Sequence, residues 1–76
     1  MKIEYDSERD LLYLWLAKPG SRAAQTRTVA AGVHADFDRN DRLIGVEILD
    51  AKDVLGGDLE FEVTRTPVPP ARGGGL

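Results

Sequence analysis

The twelve residues Asp36 to Glu47, DFDRNDRLIGVE, hold the side chains of this chain best suited to chemistry. With Asp36 as position 1, oxygen ligands fall at positions 1, 3 and 5 (Asp36, Asp38, Asn40), an apolar residue at 8 (Leu43) and a carboxylate at 12 (Glu47). That is the ligand spacing of an EF-hand calcium loop. His34, the single histidine, shares a strand face with Asp36 and Asp38 by period-2 alternation. His34, Asp36, Asp38 and Glu47 are therefore the candidate metal set. Two features oppose an EF-hand. Position 6, where the backbone must turn sharply, is Asp41 and not glycine, and both flanks read as strands rather than helices. A hairpin accounts for the same residues, because Asp and Asn tolerate the left-handed region and bond their own backbone. A four-residue loop, Asp38 to Asp41, keeps Val33 and Ala35 on one face with Ile44 and Val46, and places Asp41 where a positive φ is expected. His34 then belongs on a solvated strand face beside a carboxylate such as Glu47.

Other chemistry is thin. Asp6, Glu8 and Asp10 could form an acid/base set, but carboxylates in a turn stay solvated and ionised at neutral pH. Ser7 and Ser21 have no histidine near them in sequence. The glycines Gly73 to Gly75 follow no strand and open no helix, so they form no phosphate loop. The chain has no cysteine, which excludes disulfides and thiolate chemistry. No catalytic residue and no cofactor is expected, and the protein is not expected to be an enzyme.

The elements that must position these residues are mostly strands. Met1, Ile3 and Tyr5 alternate with polar residues, and Asp6 to Asp10 is a polar turn. Leu11 to Ala17, LLYLWLA, is apolar at both parities, which calls for cover on both faces. Tyr13 and Trp15 lie on one of those faces, opposite Leu12, Leu14 and Leu16. They are candidate interface residues, since Tyr and Trp are enriched at interface centres. Lys18 to Ser21 is a turn, Thr26 to Phe37 reads as a third strand with Gly32 at a bulge or close approach, and Leu43 to Leu49 as a fourth. Helical spacing of Ile44, Ile48, Ala51 and Leu55 competes for that last stretch, but Gly45 and three β-branched residues favour the strand. Asp50 is placed to cap a short helix through Val54 and Leu55, with Gly56 just past its end. Leu59 to Val63 alternates as a fifth, edge-like strand, and the proline- and glycine-rich residues 64–76 read as a disordered tail.

With 76 residues the chain is one domain, assigned to residues 1–63. A protein this small buries only about 60% of its unfolded surface, a marginal regime in which a partner or a metal is often recruited. Its net charge is −3 and its arginines are scattered along the sequence, so no nucleic-acid footprint is readable. No apolar run is long enough to span a bilayer and no signal-like segment opens the chain, so the cytoplasm is the expected location and no membrane partner is expected.

Tyr5-Asp6, Glu8, Asp10 and Leu12-Tyr13-Leu14, then Asp36-Phe37-Asp38, then Gly45-Val46-Glu47-Ile48-Leu49-Asp50-Ala51 resemble the small prokaryotic family called domain of unknown function 2283. Its members share a YDxExDxLY opening and a DxDxxGxxxGxEIL close. The similarity covers roughly residues 1–55. This chain departs from it at Asp41, where the family has glycine, and at Ser7, where a turn former such as proline is common. The resemblance implies a small β-rich antiparallel fold without an established activity, and an association with antitoxin-like gene pairs whose partner protein is encoded nearby. The combined expectation is a mainly β, small α+β domain: an antiparallel meander of four to five strands with a short helix after the fourth. Its expected role is a self-associating interaction module, a homodimer with Tyr13 or Trp15 at the contact. The alternative is a metal- or ligand-binding protein using Asp36, Asp38 and His34.

Overall fold

Residues 1–67 are described by the structure, a computed structural model. β1 (Lys2–Asp6), β2 (Leu11–Trp15), β3 (Gln25–Ala30), β4 (Val33–Phe37) and β5 (Leu43–Ile48) form one sheet, and α1 (Ala51–Val54) follows β5. Every neighbouring pair is antiparallel. The mainly β fold, with one short helix after the Leu43–Leu49 strand, is as the sequence led us to expect.

Three details differ. The stretch from Thr26 to Phe37 is two strands, not one. It reverses at Ala31-Gly32, with a register shift between Thr28 and Ala30. Gly32 has φ 74°, and a Cβ there would meet Leu49 O and Val54 Cγ2 at 3.2 Å, so a turn and a close approach coincide. Second, the sheet order is β1-β2-β5-β4-β3, so only β3, β4 and β5 form a meander. β5 inserts beside β2, giving the strand that is apolar at both parities a neighbour on each side. Residues 16–24 then cross one end of the sheet, pinned by Leu16 and Ala17 N–H to Ile44 O (2.9 and 3.1 Å) and by Ala24 N–H to Phe37 O (2.8 Å). Third, Leu59 to Val63 is not a strand. Leu59 packs on the core, but Phe61 is 51% and Val63 89% exposed, so the alternation buries nothing further along. Residues 64–67 carry no regular structure, and the rest of the expected tail, 68–76, lies outside the described residues.

The Asp36 to Glu47 stretch is a hairpin, with Ala35 opposite Val46 and Val33 opposite Ile48. Its loop is Asp38–Arg42, one residue longer than expected, and a register shift at Asp36/Phe37 restores the parity. Asp38 Oδ1 accepts the N–H groups of Asn40 (2.8 Å) and Arg42 (2.9 Å), and Asp41 sits at φ 62°.

Cross-strand pairing sorts the side chains into two faces. One is apolar, with the row Tyr5, Leu12, Ile48 and Val33 next to the row Ile3, Leu14, Val46 and Ala35. Ala51 of α1 and Leu59 pack on Leu12 and Ile48. The buried apolar residues are Leu12, Ala35, Ile44, Ile48 and Ala51; Leu14 and Val46 are half-buried, and Ile3 is 41% exposed. The other face is polar and carries Lys2, Glu4, Tyr13, Trp15, Glu47, His34, Asp36, Thr26 and Thr28 around Gly45.

Candidate functional site

The polar face collects most of the residues that the sequence singles out. Tyr13 on β2 leans across Gly45 of β5 and donates its hydroxyl to Asp36 Oδ2 on β4 at 2.6 Å. The glycine is what permits this: a Cβ at position 45 would fall 2.1 Å from Tyr13 Oη and 2.6 Å from Cζ. Thr26 of β3 donates to the other oxygen of Asp36 at 2.5 Å, so one carboxylate ties two strands, β2 and β3, to its own. Trp15 stacks edge-on against Tyr13, with centroids 4.7 Å apart, and its indole N–H donates to Glu4 of β1. Thr28 and His34 Nδ1 are 2.9 Å apart.

Burial holds the Tyr13 hydroxyl well above its usual pKa; the hydrogen bond to Asp36 and the negative charges of Asp36 and Glu47 push the same way. Tyr13 is thus a fixed donor, protonated at every physiological pH, and unsuited to acid/base exchange. Of the candidate metal set, His34, Asp36 and Glu47 share this face, but Asp36 has both oxygens engaged by hydroxyls. Asp38 lies apart in the hairpin loop, where it accepts two backbone N–H groups and pairs with Arg42 at 3.3 Å. Among the described residues no three His, Asp or Glu side chains are gathered as a metal site.

Tyr13 and Trp15, expected at an interface, are half-buried on this polar face with their donors directed to Asp36 and Glu4. Asp6, Glu8 and Asp10 do not converge. Asp6 Oδ1 accepts the N–H groups of Glu8 and Arg9 (3.0 and 3.1 Å), closing the turn. Asp10 faces α1 instead: its carboxylate accepts the Lys52 N–H at 3.1–3.2 Å and its carbonyl the Ala51 N–H at 2.9 Å. Tyr5 donates to the same carboxylate at 2.7 Å, and that hydrogen bond raises the Tyr5 pKa. Asp50, expected to cap the helix, is left-handed (φ 50°, ψ 52°) and makes no side-chain cap. Ser21 donates to Lys18 O at 2.6 Å within its turn. Sequence reasoning missed the packing role of Gly45, although a glycine inside a strand does signal a close approach. It also missed a gathering of cations: Lys18 and Arg22 on the crossover line the same end of the sheet as Arg39 and Arg42 of the hairpin loop.

No curated protein and no solved structure matches the chain. A family model described as protein of unknown function (DUF2283) matches residues 2–52, from the start of β1 into α1. That span holds the whole sheet, both capped acidic turns and the Tyr13–Gly45–Asp36 contact, and the chain belongs to the DUF2283 family.

Proposed function

We propose that the protein is a non-enzymatic interaction module that pairs with a second copy of itself through the apolar face of its sheet. The observation that carries this is the size of the core: its buried apolar residues are Leu12, Ala35, Ile44, Ile48 and Ala51, and none is larger than Leu or Ile. Stable domains stack two layers around a core, and here one helical turn and Leu59 stand in for the second layer. On the apolar face, Ile3 remains 41% exposed. A second sheet laid over Ile3, Leu14 and Val46 supplies the missing layer at the usual spacing of about 10 Å. Tyr13 and Trp15 point the other way and are satisfied internally, so they support the sheet from behind instead of forming the contact.

Sedimentation equilibrium at tens of micromolar should give twice the 8.3 kDa chain mass. Ile3→Lys, on an exposed edge-strand position, should shift the mass toward monomer while the far-ultraviolet circular dichroism stays unchanged. A folded monomer of the unsubstituted protein at that concentration would refute self-association. A stoichiometric complex with a different protein from the host, formed in preference to the homodimer, would replace the second copy with an antitoxin-like partner on the same face.

A further inference from the structure

The chain is acidic overall, yet one end of its sheet is basic. Residues 16–24 cross that end beside the 38–42 loop, and together with Arg27 they place five cations (Lys18, Arg22, Arg27, Arg39, Arg42) against two carboxylates (Asp38, Asp41). These seven charges give a net +3 within a chain whose total is −3. The carboxylates are already engaged. Asp41 pairs with Arg27 at 2.5 Å, and Arg27 also lies over the Phe37 ring at 4.1 Å. Asp38 borders the clefts but is bound within its own loop, where the Arg42 N–H above all holds its carboxyl below the usual range, and it pairs with the Arg42 side chain. Lys18, Arg22 and Arg39 make no salt bridge among the described residues.

Two adjoining clefts open between the crossover and the loop. Arg22, Asp38, Arg39 and Asn40 line one, and Lys18, Ser21, Arg22, Asp38 and Arg42 line the other, so that Arg22 and the Arg42-paired Asp38 are common to both. We infer that this end of the sheet is an anion site for a small soluble phosphorylated molecule, with two linked phosphates seated on Arg22 and flanked by Arg39 and Lys18. Guanidinium groups suit phosphate because their planar fork donates two parallel hydrogen bonds, and the Asn40 amide adds a neutral donor. Two clefts sharing one arginine fit a diphosphate better than a single phosphate. Neither cleft is lined by an aromatic ring on which a base could stack, which favours a compact phosphate ligand over a single-stranded nucleic acid. None of Ile3, Leu14 and Val46 lines either cleft, so the site is argued without recourse to self-association.

The test is an amide chemical-shift titration of the full chain with sodium pyrophosphate at low salt. Saturable shifts confined to residues 18–24 and 38–42, with a Kd at or below about 1 mM, are expected. Arg22→Gln alone should weaken binding roughly two- to fivefold, as for one exposed charge pair. Arg22→Glu with Arg39→Glu should weaken it about tenfold or more, since repulsion replaces attraction. Arg9→Glu, in the turn at the opposite end, should leave it unchanged. All these side chains are exposed, so the dispersed amide spectrum should persist in each variant. Absence of saturable shifts, equal shifts with sodium chloride at matched ionic strength, or binding indifferent to the double charge reversal would each overturn the site.

Discussion

Gly45→Ala puts the Tyr13–Gly45–Asp36 contact under direct strain. The added methyl would lie 2.1 Å from Tyr13 Oη, 2.6 Å from Cζ and 2.9 Å from Cε2, so the phenol must leave its place over β5. Overpacking of this kind costs about 1–3 kcal/mol. Losing the hydrogen bond to the Asp36 carboxylate costs about another 1.5–3 kcal/mol, since one of its two oxygens loses its donor while Thr26 keeps the other. Against this, Gly→Ala stiffens the unfolded chain by about 0.4–1 kcal/mol, because position 45 is not left-handed. The net expectation is a loss of roughly 1.5–5.5 kcal/mol, a large share of the about 4–11 kcal/mol available to a domain of this length. Urea unfolding followed by Trp15 fluorescence reads it directly, and Trp15 reports on the site as well because its ring stacks on Tyr13. The decisive measurement is a double-mutant cycle. In a Tyr13→Ala background the new methyl meets no ring, so Gly45→Ala should be neutral within about 0.5 kcal/mol or stabilising. An equal cost in both backgrounds would refute the steric account, whatever the size of the single effect.

Four further outcomes are expected. Asp10→Ala removes the acceptor of both the Tyr5 hydroxyl and the Lys52 N–H, and should cost about 1–3 kcal/mol, with faster hydrogen exchange in residues 51–54 than elsewhere. Asp41→Gly relieves a positive φ worth up to about 1 kcal/mol but gives up the exposed Arg27 pair, so a thermal melt should show a gain of only a few tenths to 1 kcal/mol. The carboxyl of Asp38 is depressed on folding, so its contribution is complete above about pH 4 and fades as pH falls through the folded-state value. Urea midpoints should therefore decline less steeply on acidification in Asp38→Asn than in the parent chain. Millimolar calcium or magnesium should leave the melting temperature unchanged, whereas an occupied site at 100 times its Kd would add about 2.7 kcal/mol.

What the sequence disclosed and what it hid divide along the range of the interactions involved. Alternation placed the Leu43–Ile48 strand because each residue's face depends only on parity, and Leu11–Trp15 was legible as a short apolar run bounded by turns. The Asp38 loop was legible for the same reason: an Asp side chain closing its own turn is a local event. The reversal at Ala31-Gly32 was hidden because no Asn or Asp marks it, and apolar residues run across it without interruption. Insertion of β5 between β2 and β4 depends on which strands bury most together, which no window of neighbouring residues records. Helix capping shows the contrast within one element. Asp50 was the local choice, but the cap comes from Asp10, far back in the chain, because the first hairpin delivers that carboxylate to the helix.

The residues that carry the family resemblance are engaged almost throughout in holding the sheet together. Tyr5 and Asp10 anchor α1, Asp6 and Asp38 close their turns, and Tyr13, Gly45 and Asp36 make one contact across three strands. Such a signature is what a family of small domains needs when its core is only a handful of side chains: polar fasteners supply the specificity that packing cannot. Two kinds of variant should therefore behave differently. Substitutions at these fasteners should act through stability, shifting urea midpoints and abolishing any binding in proportion to the fraction unfolded. Substitutions at Arg22 and Arg39 should leave the midpoint within about 0.5 kcal/mol of the parent while changing anion affinity, as expected of exposed positions, and Ile3→Lys should change the mass and lower the midpoint only as far as lost association does. If a fastener variant such as Tyr13→Phe instead lost association while keeping its full stability, the polar face and not the apolar one would be the interaction surface.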